Sequence, residues 1–208
     1  MKKNLILYGL LFLYLWLTIF YLVYQNIPFY NEIINPLLWF LIFFAAYKFG
    51  KDEFARVKDS NNKIQSLIIA LIIYLILYFL LGLIFGYQRT PYSKNFISII
   101  SNIWSFGSII IMQEFVRNTM VKLGKKDIFN LVFITLLFTI INLTIPNIAS
   151  HFVDFKETFI YVTSTLIPLI VLNAVLTYLS YIGGYKLPII YRFFITLPEF
   201  ILPILPNL

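Results

Sequence analysis

Cysteine is absent from this sequence of 208 residues, and histidine occurs once, as His151. The lack of cysteine excludes disulfide bonds, thiolate metal sites and thiol catalysis, and a single histidine cannot form a multi-histidine metal centre. No phosphate-binding glycine loop, metal-binding helix motif or nucleophile elbow is recognisable. We therefore expect neither a bound metal nor a cofactor.

Charged residues are also scarce: they make up 12% of the chain, against 61% hydrophobic residues. Soluble domains carry about 25% charged residues, so this composition and a mean hydropathy of +0.87 are typical of an integral membrane protein. The net charge of +7 has no accompanying basic stripe on a polar fold, which argues against a nucleic acid partner. The expected partner is the lipid bilayer.

Six apolar stretches are candidates for membrane-crossing helices, because about 20 helical residues cover the roughly 30 Å of a hydrocarbon core. We predict an all-α fold, a polytopic integral membrane helical bundle that forms a single domain over residues 1–208. The predicted spans are about Asn4 to Tyr24, Asn35 to Phe49, Ile64 to Gly86, Phe96 to Val121, Ile128 to Ile145 and Phe159 to Ile182.

The last stretch, Tyr191 to Leu208, differs from the six spans. Thr196 and Glu199 have the spacing of a capping box, with Pro198 in the first turn, so we predict that a helix restarts there near the inner surface. Two further prolines limit its length. The prediction is a short, proline-interrupted seventh segment: a half-helix, an interfacial segment or a lead-in to a C-terminal part that the 208 residues do not include.

The distribution of basic residues predicts the orientation in the cell membrane. With the N-terminus in the cytoplasm, most lysines and arginines fall in inner loops, as the positive-inside rule requires. Only Arg89, Lys94 and Lys156 then fall outside. The residues assigned to the inner side are Lys2, Lys3, Lys48, Lys51, Arg56, Lys58, Lys63, Lys122, Lys125, Lys126, Lys186 and Arg192.

Glu114 lies within an apolar stretch, three residues before Arg117. A charged side chain at the centre of a membrane helix costs about 2.5 to 3.5 kcal/mol on insertion scales, so such groups usually have a partner. One interpretation is that Gln113, Glu114, Arg117, Asn118 and Lys122 form the solvated cytoplasmic end of the helix. The other is a buried carboxylate held by a guanidinium, which acts as a general base or binds a polar partner.

Other polar side chains lie on the fifth and sixth spans. An amide such as Asn142 in a membrane helix commonly bonds to a neighbouring helix. Asn173 and Thr177 are four residues apart on one helix face, and Ser180 continues that face, so we predict a polar seam between helices or a partner-binding surface. His151, beside Asp154, is interpreted as a solvated residue of an outer loop.

The pairing of Glu114 with Arg117, followed one helix later by Phe138-x-x-x-Asn142, resembles the CAAX-protease and bacteriocin-processing superfamily of intramembrane glutamic proteases. That family has Glu-Glu-x-x-x-Arg, then Phe-x-x-x-His, then His-x-x-x-Asn. Here Gln113 replaces the first glutamate, Arg117 is one residue early, Asn142 replaces the first histidine, and the second histidine is missing. The resemblance implies Glu114, Arg117 and Asn142 as the residues of a degenerate catalytic site.

The expected depths of these residues differ. At 1.5 Å per helical residue, Glu114 is roughly 12 Å from the cytoplasmic loop and Asn142 roughly 24 Å. We therefore expect the two side chains to meet only if a helix is tilted or displaced.

A second resemblance covers more of the chain. The segments concerned are similar to the multi-span N-terminal region of some bacterial type I signal peptidases of the archaeal and endoplasmic-reticulum type. It implies a signal peptidase catalytic domain, or another membrane protein, as the partner. The similar segments are residues 113–118, 176–184, 190–192, 197–199 and 202–206.

These observations support three hypotheses. The first is a noncatalytic or degenerate membrane module associated with protein processing, in which Glu114 and Arg117 form a structural or partner-binding site. The second is an active intramembrane protease in which Glu114 activates water. The third is a small-solute transporter, or its substrate-binding membrane subunit, with Asn142 and Asn173 lining a cavity at the midplane.

Overall fold

The computed structural model describes residues 2–24, 30–50, 60–90, 92, 95–124, 127–143 and 154–207. His151 and most of the basic loop after Lys48 lie outside these ranges. Nearly all of the described chain is helical, in agreement with the predicted fold class. The exception is a pair of three-residue strands, which the all-α prediction did not include.

The helices follow the predicted apolar stretches to within a few residues. Single π-helical turns, Tyr30–Ile34, Ile103–Gly107 and Val162–Leu166, precede α2, α5 and α8. The elements in chain order are α1 Lys2–Tyr24, α2 Asn35–Gly50, α3 Ser60–Phe85, β1 Tyr87–Arg89, α4 Phe96–Asn102, α5 Ser108–Leu123, α6 Ile128–Asn142, α7 Phe155–Tyr161, α8 Ile167–Gly183, α9 Lys186–Ile201 and β2 Ile204–Pro206.

Four helices are long and apolar enough to cross a membrane, judged by length and composition. They cover Lys3–Tyr21, Asn61–Phe85, Phe96–Leu123 and Phe155–Gly183, of which the last two are continuous through their π-helical turns. Helix α6 is apolar but shorter, with 15 residues. Large apolar side chains remain exposed on these helices, which is the surface expected of a bundle surrounded by hydrocarbon.

Helices α1, α2, α5 and α6 share one buried apolar core. Trp39 on α2 is completely buried, and its ring lies 4.9 Å from Tyr14 and 6.4 Å from Phe138, measured between ring centroids. Val116 and Met120 bring the buried face of α5 into the same cluster. This packing fixes the position of α5, the helix that carries Glu114.

Hydrogen bonds between helix ends define two opposite ends of the bundle. At one end, Lys3 donates to the Phe49 carbonyl, and Lys63 donates to the Ile182 carbonyl over 3.0 Å. At the other end, β1 pairs antiparallel with β2, with Gln88 opposite Leu205. Because α3 begins at the first end and leads into β1 at the second, the bundle is about as long as α3.

Helix α9 corrects the prediction for the seventh segment. It begins at Lys186, ten residues before the predicted restart, and Pro198 lies near its end. The Thr196 hydroxyl donates to the Arg192 carbonyl instead of capping a helix. The start is set by the chain reversal at Gly184, so the proline removes only a backbone N–H near the last turn. With β2, α9 covers the same length of the bundle as α3.

Gly184 makes the reversal between α8 and α9 possible. Its φ of 77° and ψ of −169° lie in a region that only glycine adopts readily. We expect Gly184→Ala to lower the free energy of unfolding by about 1 to 3 kcal/mol, measured by denaturant titration in mixed micelles. Gly9→Ala is the matched control, because a Cβ at Gly9 meets nothing within 4 Å and α1 is helical there. An equal loss in both variants would contradict the role of Gly184.

Candidate functional site: a buried ionic network

Glu114 and Arg117 form a completely buried ion pair on α5, with both side chains 0% exposed. The Arg117 Nε donates to Glu114 Oε2 over 2.8 Å, and Nη2 donates to Oε1 over 3.4 Å. Their spacing of three residues places both side chains on one helix face, which allows this two-point contact. The structure therefore supports the buried-carboxylate interpretation and is inconsistent with a solvated helix end at Glu114.

Arg117 also connects α5 to α8. Its Nη1 donates to the carbonyl oxygen of Asn173 over 3.3 Å and to the hydroxyl of Thr177 over 3.1 Å. Its Nη2 donates to Asn173 Oδ1 over 2.8 Å. The carbon at the centre of the guanidinium lies 4.1 Å from the ring centroid of Phe138, where a cation is attracted by the aromatic face. One side chain thus links three helices.

Arg192 on α9 completes the network, and sequence reasoning had assigned it to an inner loop. Its Nη1 donates to Gln113 Oε1 and, over 3.0 Å, to Glu114 Oε1. Its side chain is 15% exposed, against 0% for Glu114. The prediction that Arg192 lies in an inner loop was wrong, because the apolar runs in the sequence did not predict α9. That helix carries Arg192 into the bundle beside α5.

Asn142, the last residue of α6, joins the same network. Its Nδ2 donates to Asn173 Oδ1 over 3.2 Å, and its Oδ1 accepts from Arg192 Nη2 over 3.5 Å. The rise per helical residue gives the depth of Glu114 and of Asn142 along its own helix and takes no account of a long side chain between them. The two residues reach one network without direct contact, because Arg192 donates to both. Asn173 and Thr177, predicted to form a polar seam or a partner-binding surface, both accept hydrogen bonds from Arg117 on the neighbouring α5.

Ser180 and Asn118 lie close to these residues in the sequence and are also buried, but their side chains do not join the hydrogen-bond network. Ser180 is 2% exposed and Asn118 is 0% exposed. Within the described part of the chain, neither the Ser180 hydroxyl nor the Asn118 amide has a hydrogen-bond partner. Ser180, which was predicted to continue the seam, is therefore buried but does not hydrogen-bond to another helix.

The network leaves little capacity for acid–base chemistry at Glu114. Both carboxylate oxygens accept charge-assisted hydrogen bonds, and these three bonds occupy most of the lone pairs that a general base would use. No group of three or more histidine, cysteine or acidic side chains that could hold a metal occurs among the residues the structure describes. The arrangement is suited to holding helices together.

An apolar cavity of about 470 Å³ lies elsewhere, between α2 and the helix that leads into α5. Phe40, Phe43, Trp104 and Met112 are among its lining residues. Neither Asn142 nor Asn173 contributes to its wall, and these two amides bond to each other. The transporter hypothesis gains no support from this cavity.

Five residues of this network could be singled out from the sequence: Glu114, Arg117, Asn142, Asn173 and Thr177. The role of Arg192 and the acceptor role of Gln113 could not. The expected resemblance of residues 190–192 to signal peptidases was a signal in the sequence that pointed to Arg192. No protein-family model matches the chain, and our comparisons with curated proteins and with solved structures found no match either.

Proposed function

We propose that this chain is a noncatalytic integral membrane module associated with protein processing. Its buried network of Glu114, Arg117 and Arg192 holds α5, α6, α8 and α9 in one arrangement and does not activate water. A signal peptidase catalytic domain or another membrane protein is the proposed partner, as the resemblance implies. An active glutamic protease and a transporter remain the alternatives to be tested against it.

The observation that carries the noncatalytic assignment is the double neutralisation of Glu114. Two guanidiniums donate to the carboxylate, and Oε1 accepts from both of them. A general base needs a free lone pair within about 2.6 to 3.2 Å of the proton it removes. Glu114 is 0% exposed, and three of the roughly four lone-pair sites on its carboxylate accept from the two guanidiniums, which leaves no access for a water from solvent.

The association with protein processing is supported by where the similar segments lie. Residues 113–118 are distant in the sequence from 176–184 and 190–192, and the three segments supply Glu114, Arg117, Thr177 and Arg192 to a single network. Segments that share one structural role are expected to be retained together in a related architecture. The resemblance therefore concerns one three-dimensional unit.

The experiment measures conversion of a signal-peptide-bearing precursor to its mature form in cells that lack the chain. Wild type is expected to restore conversion, and so is the double variant Glu114→Gln with Arg117→Met, in proportion to its folded amount. The double change removes the carboxylate and one of its two cations together, so the net charge of the network does not change. Folded protein is quantified by size-exclusion chromatography of detergent extracts.

Two outcomes would contradict the proposal. Folded double variant without precursor conversion would indicate that Glu114 acts chemically, as in a glutamic protease. Unchanged conversion in cells that lack the chain altogether would remove the link to protein processing. Uptake of a small solute that depends on Asn142 and Asn173 would favour the transporter.

We further propose six transmembrane helices with the N-terminus in the cytoplasm of the cell membrane, and α9 as a following segment that reaches the outer side. The bonds of Lys3 and Lys63 gather helix ends at one end of the bundle, where the predicted inner loops begin. The pairing of β1 with β2 then lies on the outer side, together with Arg89.

Cysteine labelling tests this orientation in the 208-residue chain without background from the chain itself, because these residues include no cysteine. Lys48 and Lys156 are both exposed, at proposed inner and outer positions respectively. In intact cells, a membrane-impermeant maleimide is expected to label Lys156→Cys and to label Lys48→Cys only after the membrane is opened. The reverse pattern would invert the orientation, and labelling of both variants in intact cells would disprove the proposed topology.

A further inference from the structure

The charges of the buried network do not balance. Arg117 and Arg192 both donate to Glu114 Oε1, over 3.4 Å and 3.0 Å. The other hydrogen-bonding members, Gln113, Asn142, Asn173 and Thr177, are neutral, and Glu114 is the only acidic side chain in the network formed by the described residues. One positive charge is therefore in excess. An uncompensated charge away from water is costly unless an anion accompanies it.

Arg192 is the member through which an anion can reach the network. Its side chain is 15% exposed, whereas those of Arg117 and Glu114 are 0% exposed. A guanidinium has five N–H donors. Within the described chain, Nη1 donates twice and Nη2 once, so the Nε–H and one Nη2–H have no partner. These donors suit an oxyanion, which a guanidinium binds with planar, directional hydrogen bonds.

We infer that Arg192 binds the phosphate of an anionic lipid headgroup, and that this monoanion neutralises the network. The inference rests on the membrane location proposed above, because lipid phosphodiesters are the anions most abundant beside a membrane helix. Arg192 lies six residues after Lys186, or about 9 Å along α9 from the proposed inner surface. A long side chain can reach headgroup oxygens over such a distance.

The test compares anions by the thermal unfolding midpoint of the full chain in detergent. Short-chain phosphatidylglycerol is expected to raise the midpoint more than phosphatidylcholine with the same acyl chains. Inorganic phosphate at matched ionic strength forms the third arm. Protection by phosphate equal to that by phosphatidylglycerol would support the same oxyanion site with a soluble ligand. Equal midpoints in all three arms would overturn the site.

Substitutions at Arg192 test whether this residue binds the lipid. In Arg192→Gln, the concentration of phosphatidylglycerol needed for half of the midpoint shift is expected to rise about tenfold or more, because charge-assisted bonds to the phosphate are lost. Arg192→Lys keeps the charge without the planar donors and is expected to fall between the two. Arg89→Gln removes an exposed arginine at the other end of the bundle and controls for charge alone.

The same phosphatidylglycerol dependence in Arg192→Gln and wild type would disprove binding at Arg192. If Arg192→Gln does not fold, Arg192→Lys and the lipid comparison on wild type still decide. If Arg192 does not bind the lipid, the precursor-conversion assay is unaffected, because that assay depends on the chain and not on added lipid. Loss of precursor conversion would in turn leave the lipid dependence measurable on purified protein.

Discussion

Glu114→Gln is expected to lower the free energy of unfolding by about 3 to 5 kcal/mol, the largest loss among single changes in the network. The substitution keeps the size of the side chain but removes the negative charge that pairs with both Arg117 and Arg192. The two guanidiniums would then repel each other in a bundle interior where water cannot screen them. Denaturant titration in mixed micelles measures the loss.

Glu157→Gln is the matched control for this prediction. The chemical change is identical, but Glu157 is exposed in the first turn of α7. Its effect is expected to stay within about 0.5 kcal/mol, as for most surface substitutions. If Glu114→Gln were equally mild, the carboxylate would not be essential to the fold, and the catalytic hypothesis would regain ground. A protease that needs Glu114 only for chemistry predicts that outcome.

Arg117→Met is expected to cost about 3 kcal/mol, because it leaves the buried Glu114 Oε2 without a donor and removes the hydrogen bonds from α5 to α8. Glu114 Oε2, the Asn173 carbonyl and the Thr177 hydroxyl each accept from Arg117. The loss is expected to be smaller than that of Glu114→Gln, since Arg192 still neutralises the carboxylate. The same titration measures both. Arg89→Met, at an exposed position on β1, controls for the loss of an arginine.

The double variant Glu114→Gln with Arg117→Met sharpens this prediction. Residues in one network are not additive, so the double loss is expected to be smaller than the sum of the two single losses. If the double variant lost as much free energy of unfolding as the two single variants together, the two side chains would contribute independently of each other. A loss for Arg117→Met that matches the exposed control would show that its bonds to α8 contribute nothing.

The positions of the helices could be predicted because apolar runs of sufficient length have few alternatives in a chain of this composition. The end of α8 could be predicted as well, since Gly183 and Gly184 terminate helices. The start of α9 could not. A helix interrupted by Tyr191-Arg192 and followed by prolines has no uniform apolar run, and its packing against α3 and α5 supplies what its sequence pattern lacks.

Whether Glu114 is buried or solvated was also undecidable from the chain alone. Hydropathy describes one helix at a time, whereas the burial of Glu114 depends on α8 and α9 covering the same face of α5. The meeting of Asn142 with the network was missed for a related reason. Helix rise measures depth along one axis, and a long arginine side chain connects groups at different depths.

Composition by itself predicted an integral membrane protein, because apolar content on this scale is a property of the whole chain and needs no partner in space. The absence of cysteine and the single histidine likewise excluded disulfides, thiol catalysis, and thiolate and multi-histidine metal sites within the 208 residues, without reference to any fold. Only the tertiary structure decided which charged residues are buried and paired. Arg192 lies 78 residues after Glu114 in the sequence, and packing brings its guanidinium to the carboxylate. Whether an acid is a free base or a neutralised anchor depends on that distance.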